Sequence, residues 1–100
     1  MQKNQIVVIG SSNLDYIVTT DHFPKGGETL EGLSFTQAMG GKGANQAVAA
    51  ARAGANVSFV ARVGSDVLGK KGVQSLTDEG IDTKNIFIDK QVPTGVAFIV

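Results

Sequence analysis

The feature that most constrains the fold of this chain is a glycine-rich turn followed by a run of alanines, in residues 40–54. The segment reads Gly-Gly-Lys-Gly-Ala-Asn-Gln-Ala-Val-Ala-Ala-Ala-Arg-Ala-Gly. Glycine adopts backbone angles that other residues avoid, which suits a tight turn or a close approach to a ligand. Alanine is the best helix former, and Gly54 stands where a helix commonly ends. The segment therefore predicts a tight turn that leads into a short, closely packed helix.

The first turn of this predicted helix carries two polar side chains. Lys42 and Asn45 are three residues apart, so they lie on one side of the helix if it begins near Gly41. A helix N-terminus also offers unpaired N–H groups and a partial positive charge. Two interpretations follow: a site for a polar ligand, or a purely structural turn before a helix that packs on a sheet. The spacing matches neither the phosphate loop G-x-x-x-x-G-K-S/T nor the dinucleotide fingerprint G-x-G-x-x-G.

Composition excludes several classes of function. The nine basic and nine acidic residues balance, and no basic cluster is interleaved with aromatic residues, which argues against a nucleic-acid partner. The sequence has no cysteine and one histidine, so it has neither a disulfide framework nor a histidine metal cluster. The apolar run 6–9 is far too short for a signal peptide or a membrane span. One small cytoplasmic domain without a membrane partner is expected.

The N-terminal segment predicts a buried strand followed by a polar turn. Residues 5–10 form a β-branched run closed by glycine, which is typical of a strand buried on both faces of a parallel sheet. Asn13 and Asp15 follow it, at the strand end where ligands bind in open α/β sheets. They are two residues apart and point to the same side of an extended chain. A site for adjacent hydroxyl groups and a solvated turn both fit this pattern.

The remaining pattern predicts an α/β fold with an inserted ribbon. Residues 14–20 and 28–36 are expected to pair as an antiparallel ribbon with Gly32 as a bulge. Such a ribbon needs a partner surface, because two strands alone are not stable. Ser65 and Asp66 are the expected cap of a helix that Gly80 ends. The later elements are a strand at 56–64, a helix at 67–79, a strand at 86–88 and a strand at 94–100.

The C-terminal residues of the chain are apolar without interruption. The run from Val96 to Val100 has no turn and no polar end. A domain rarely stops inside a hydrophobic strand, because an exposed strand edge invites aggregation. The chain is therefore expected to be the N-terminal piece of a longer protein.

Several motifs together resemble the ribokinase-like carbohydrate kinases. They are Gly-Ser-Ser-Asn-Leu-Asp at 10–15, Gly-Glu-Thr at 27–29, Gly-Gly-Lys-Gly-Ala-Asn-Gln-Ala at 40–47, Gly-Ser-Asp at 64–66, Gly-Ile-Asp at 80–82 and Thr-Gly-Val-Ala at 94–97. The resemblance covers essentially all 100 residues. It implies a Rossmann-like α/β fold, with a mostly parallel sheet flanked by helices and a small β-sheet lid, of which this chain is an N-terminal fragment.

The resemblance also divides the expected fold into two parts. Lid segments are expected at about 14–36 and 94–100, and α/β core segments at 5–10 and 40–88. The pair Gly40 and Gly41 is expected to be the hinge for a lid closure that excludes water from the site. Packing of one lid against another is expected to make a homodimer.

The activity implied by the resemblance is ATP-dependent phosphorylation of D-ribose at its terminal 5-hydroxyl, which yields ribose 5-phosphate. In this chemistry a carboxylate accepts from sugar hydroxyls, an ammonium donates, and amides do either. The chain is expected to hold the sugar-binding half-site. The expected substrate-binding residues are Asn13, Leu14, Asp15, Gly41, Lys42, Gly43, Ala44 and Asn45.

The catalytic base of that family, an aspartate in a Gly-Ala-Gly-Asp signature, has no counterpart in this sequence. No catalytic residue and no metal ligand are therefore expected within it, and the chain alone is expected to be inactive. ATP, Mg2+ and, as a further candidate, K+ are expected to bind mainly to a C-terminal part. Two alternatives remain: another specificity such as a fructokinase-like or nucleoside kinase, and a non-catalytic sugar-binding or interaction module.

Overall fold

The computed structural model describes residues 5–100, which form two three-stranded sheets and two helices. The elements in chain order are β1 Gln5–Ile9, β2 Asn13–Thr19, β3 Ser34–Gly40, α1 Lys42–Arg52, β4 Asn56–Gly64, α2 Val67–Asp78, β5 Ile86–Asp89 and β6 Gly95–Ile99.

The first sheet is parallel and has the strand order β1-β4-β5. Alternate residues of β4 are buried, and Phe59 is completely so. The helices pack on these side chains, since Ala47 of α1 and Leu76 of α2 belong to the same hydrophobic cluster. The predicted βαβ unit is confirmed, with β2 and β3 inserted between β1 and α1. The buried cluster comprises Ala44, Ala47, Val57, Phe59, Ala61, Val63, Leu76, Ile81 and Ile86.

The expectation that β1 is buried on both faces is wrong for the part of the chain that the structure describes. Val7 is 63% exposed and Ile9 is 79% exposed. Within residues 5–100, β1 pairs with β4 along one edge, which leaves its other edge open. A continuous apolar run reports how hydrophobic a strand is, but it does not report how many neighbours cover it.

The second sheet has the order β3-β2-β6, with β2 antiparallel to β3 and parallel to β6. The predicted ribbon is confirmed, but its second strand lies at Ser34–Gly40 rather than at 28–36. Glu28 instead closes a turn, because its N–H donates to the Lys25 carbonyl at 3.0 Å. Gly32 is not a bulge within a strand but lies in the loop before β3.

Both helices begin and end close to the predicted residues. Gly41 is the N-cap of α1, and Gly54 follows its C-cap with a φ of 101°. Asp66 caps α2 by accepting the Gly69 N–H at 2.9 Å. Neither α1 nor α2 has the length and hydropathy that crossing a membrane would require.

Candidate functional site

Asn13 and Asp15 stand at the start of β2, directly after the turn that follows β1. The Asn13 side-chain amide donates to Asp15 Oδ1 at 2.9 Å, and both side chains are half-buried. The prediction that the two point to the same side is therefore confirmed. The bond holds the carboxylate in place while one of its oxygens and the amide oxygen stay available to a ligand.

Gly40 lies beneath the Asp15 carboxylate. A Cβ atom added to Gly40 would come within 2.5 Å of Asp15 Oδ2 and 2.7 Å of Asp15 Cγ. Only the absence of a side chain at Gly40 lets the carboxylate occupy this position. Asp15 also pairs in register with Ala38 of β3 and Ala97 of β6, so both of its cross-strand neighbours are small.

Gly41 is required for two separate reasons. Its φ of 100° is a conformation that favours glycine. A Cβ at this position would also lie 2.7 Å from the Ser11 carbonyl oxygen and 3.0 Å from Asn13 Oδ1. The glycine turn and the turn after β1 are thus in direct contact.

The N-terminus of α1 packs on the same turn. A Cβ on Gly43 would lie 2.8 Å from the Gly10 Cα and 2.8 Å from the Ser11 nitrogen. The Ala44 N–H donates to the Ser11 carbonyl at 3.0 Å, which satisfies one of the unpaired donors of the helix. Two motifs that are about thirty residues apart in sequence therefore form one surface.

Lys42 and Asn45 project from the first turn of α1 and are exposed. Among residues 5–100, the Lys42 ammonium makes no ion pair. Asn45 lines a groove between α1 and α2, and the ion-paired Arg52 and Glu79 line the same groove. A cation and an amide are therefore available to a polar ligand near the second sheet.

Three of the predicted substrate-binding residues have little or no exposed surface. Leu14 is 3% exposed and Ala44 is 5% exposed. Gly43 is buried against Gly10. These residues contribute backbone atoms and close packing, whereas the polar side chains among the predicted binding residues belong to Asn13, Asp15, Lys42 and Asn45.

The described residues do not form a metal site. No group of three or more histidine or acidic side chains converges within residues 5–100. A magnesium ion needs several oxygen ligands in octahedral geometry. The Asn13–Asp15 pair supplies one carboxylate, so it fits a hydroxylated ligand better than a metal.

The parallel sheet and the attached second sheet define an α/β protein whose polar side chains Asn13 and Asp15 lie where the two sheets join, after the end of β1. The chain belongs to the pfkB family of carbohydrate kinases, which it matches over residues 3–100.

Several relatives of this chain are ribokinases. It is 48% identical to the ribokinase of Haemophilus influenzae over 97 residues, which are 97% of this chain and 32% of that protein. The structure of Giardia lamblia ribokinase matches with a TM-score of 0.88 at 36% identity, over 97% of this chain and 29% of that one. The Arabidopsis thaliana ribokinase complexed with ribose and ATP matches with a TM-score of 0.82 at 36% identity, over 98% of this chain and 32% of that one.

These likenesses confirm the predicted ribokinase-like α/β fold and the family resemblance. The chain spans about a third of the length of the relatives it matches.

Two individual contacts beside the site were not predicted, although 94–100 was expected to join 14–36 in the lid. Ala97 lies next to Asp15 because β6 pairs in parallel with β2, a contact between residues about eighty positions apart. Thr94 is buried and bonded to Asp66. The short stretch Thr-Gly-Val-Ala was recognised as a motif, but only the strand pairing shows which residues it meets.

Proposed function

We propose that this chain forms the sugar-binding half of a kinase that transfers a phosphoryl group from ATP to the 5-hydroxyl of D-ribose. The observation that carries the proposal is the Asp15 carboxylate, which lies on the bare Cα of Gly40 and is held by Asn13. The ribokinases among its relatives support ribose as the sugar.

The four polar side chains suit a sugar with several adjacent hydroxyls. Each hydroxyl both donates and accepts, so a carboxylate and an amide on β2 complement an ammonium and an amide on α1. Hydrogen bonds to the charged groups are the stronger ones. A site of this kind discriminates against a sugar that lacks a bonded hydroxyl, since a buried polar group is then left unpaired.

ATP is the proposed donor, and Mg2+ and K+ are the proposed ions. Structures of relatives hold ADP, or ribose and ATP, which supports use of a nucleotide. We assign no residue of this chain to the phosphoryl transfer itself. A cytoplasmic location belongs to the same proposal, because ATP is the donor.

The second sheet is proposed to act as a lid over the sugar, with segments at about 14–36 and 94–100. The core segments are 5–10 and 40–88, and Gly40 and Gly41 form the hinge. A homodimer through this sheet is supported by its exposed aromatic face, where Tyr16 stacks between Phe35 and Phe98 at centroid distances of 5.8 and 5.5 Å. Sedimentation equilibrium of the intact gene product at tens of micromolar tests it, and a monomer mass contradicts it.

Turnover by the intact gene product tests the proposed function. We expect ADP formation that depends on ribose and exceeds the rates with fructose and with adenosine. Faster turnover of fructose or adenosine would instead identify the protein as a fructokinase-like or nucleoside kinase. Ribose binding without any consumption of ATP would assign the chain to the non-catalytic sugar-binding alternative.

A further inference from the structure

Asp66 makes more hydrogen bonds than a helix cap requires. Its Oδ1 accepts the Gly69 N–H at 2.9 Å, which is the capping bond of α2. The same oxygen accepts the Thr94 hydroxyl at 2.7 Å, and Oδ2 accepts the Thr94 N–H at 3.1 Å. Two of the three bonds therefore reach a residue 28 positions away, at the start of the second sheet.

Thr94 completes the network from the other side. It is 6% exposed, and its Oγ1 accepts the Gly64 N–H at 3.0 Å while donating to Asp66. A Cβ on Gly64 would lie 2.5 Å from the Thr94 nitrogen. A Cβ on Gly69 would lie 2.9 Å from Thr94 Oγ1 and 2.0 Å from the Gly64 carbonyl oxygen. The two glycines thus leave the space into which Thr94 fits.

This network lies one residue from the candidate sugar site. Gly95 follows Thr94 and is the first residue of β6, where it pairs with Asn13. A Cβ on Gly95 would lie in ordinary contact, 3.5 Å from the Asn13 Cβ. The position of Thr94 therefore determines where β6 lies beside Asn13. The Asn13 side-chain amide in turn holds the Asp15 carboxylate.

We propose that Asp66 is a positioning residue for the sugar site, acting through Thr94 on the N-terminal end of β6. The inference rests on the proposed function, because the site it positions is the proposed ribose site. The Thr94 hydroxyl, followed by the Gly69 and Thr94 N–H groups, lowers the pKa of Asp66, because these bonds favour the charged carboxylate. A charged acceptor makes the stronger hydrogen bonds.

The competing explanation is that Asp66 does no more than stabilise α2. Asp66→Ser separates the two roles, because serine is a good N-cap but lacks the second oxygen, Oδ2, that accepts the Thr94 N–H, and it also lacks the charge. Thr94→Val removes the hydroxyl at nearly constant shape, and Thr94→Ser restores it. Asp82→Asn is the control, since Asp82 accepts the Lys84 N–H near the N-terminal ends of the strands.

The experiment measures KM for ribose and for ATP on the intact gene product, together with the melting temperature. For Asp66→Ser and Thr94→Val we expect KM for ribose to rise about tenfold with KM for ATP within about twofold. Thr94→Ser and Asp82→Asn are expected to behave like the wild type. Unchanged KM for ribose in Asp66→Ser, or an equal rise in both KM values, would overturn the positioning role.

Amide hydrogen exchange separates this inference from the proposed function. In Asp66→Ser we expect faster exchange in peptides that cover β6 and the start of β2, with β4 unchanged. A wild-type protein that does not phosphorylate ribose refutes the proposed function, and the exchange result still decides whether Asp66 fixes Asn13. Unchanged exchange at Asn13 and Gly95 refutes the positioning, whatever the activity.

Discussion

Replacing Gly40 by alanine is expected to damage the sugar site while leaving the fold nearly intact. The new Cβ would start 2.5 Å from Asp15 Oδ2, and Cβ contacts under 3.0 Å are essentially never observed. The carboxylate must therefore move by at least about 0.5 Å, the difference between these two distances. Gly40 has no positive φ, so alanine meets no backbone strain there.

The size of the effect follows from what the displaced carboxylate loses. A hydrogen bond to a charged group contributes about 1.5–3 kcal/mol, and about 1.4 kcal/mol corresponds to a factor of ten in affinity. Displacement that breaks one such bond to the sugar weakens binding about ten- to hundredfold. Asp15 is half-buried and its carboxylate is the end of a short side chain that can rotate, so we expect a loss of stability of about 1 kcal/mol.

Ribose binding and urea unfolding of the intact gene product test this expectation. Gly26→Ala is the matched control, because its Cβ would meet nothing within 4 Å and Gly26 has no positive φ. The effect of Gly40→Ala on ribose affinity should also vanish in an Asp15→Ala background. This double-mutant cycle isolates the interaction between Gly40 and Asp15. Wild-type affinity in Gly40→Ala would refute the argument that Asp15 must lie on Gly40.

Two further predictions concern stability. Phe59→Ala should lower the free energy of unfolding by about 3–5 kcal/mol, because Phe59 is completely buried. Val67→Ala is the control at an exposed position, and an equal urea midpoint in the two variants would contradict this prediction. The N–H groups of Gln91 and Val92, followed by the Arg62 guanidinium, lower the pKa of Asp89 from 3.8 to about 2. The charged Asp89 therefore stabilises the folded protein fully above about pH 4, and this stabilisation is lost as the pH falls towards 2. The urea midpoint should therefore fall more between pH 6 and pH 2.5 (about these values) in the wild type than in Asp89→Asn, and equal falls would contradict the assignment.

Local signals predict α1 and α2 well, because caps and glycines act within a few residues. Gly54 follows the end of α1 with a φ of 101°, and the Asp66 side chain caps α2. The glycines inside α2, which weaken a helix, are explained by contacts: a Cβ on Gly72 would lie 2.8 Å from Met39 Cε.

Features that depend on distant partners were harder to predict. The start of β3 was misplaced because Glu28 is bound in a turn, where its side chain accepts the Lys25 N–H at 3.0 Å. Apolar residues near 30 imitate a strand, but strand pairing with β2 begins at Ser34. The exposure of β1 and the register of β6 on β2 also depend on which elements meet, and local patterns do not contain that information. That 94–100 joins the same sheet as β2 was expected only from the family resemblance.

The residues alone predicted only those neighbours in the candidate site that are close in sequence. Asn13 and Asp15 on one side of a strand follow from strand geometry alone. Their contact with Gly40 and Gly41 depends on the register of β2 with β3, so local patterns do not contain it, and only the family resemblance placed the two motifs together.

Calorimetric titration of the intact gene product with ribose tests the central claim most directly, with Asp15→Asn beside the wild type. Asp78→Asn is the control, because Asp78 is an exposed carboxylate on α2. We predict that ribose binds to the wild type and to Asp78→Asn alike, and about ten- to hundredfold more weakly to Asp15→Asn. Equal affinity in all three proteins would contradict the claim that Asp15 and its neighbours form the sugar site.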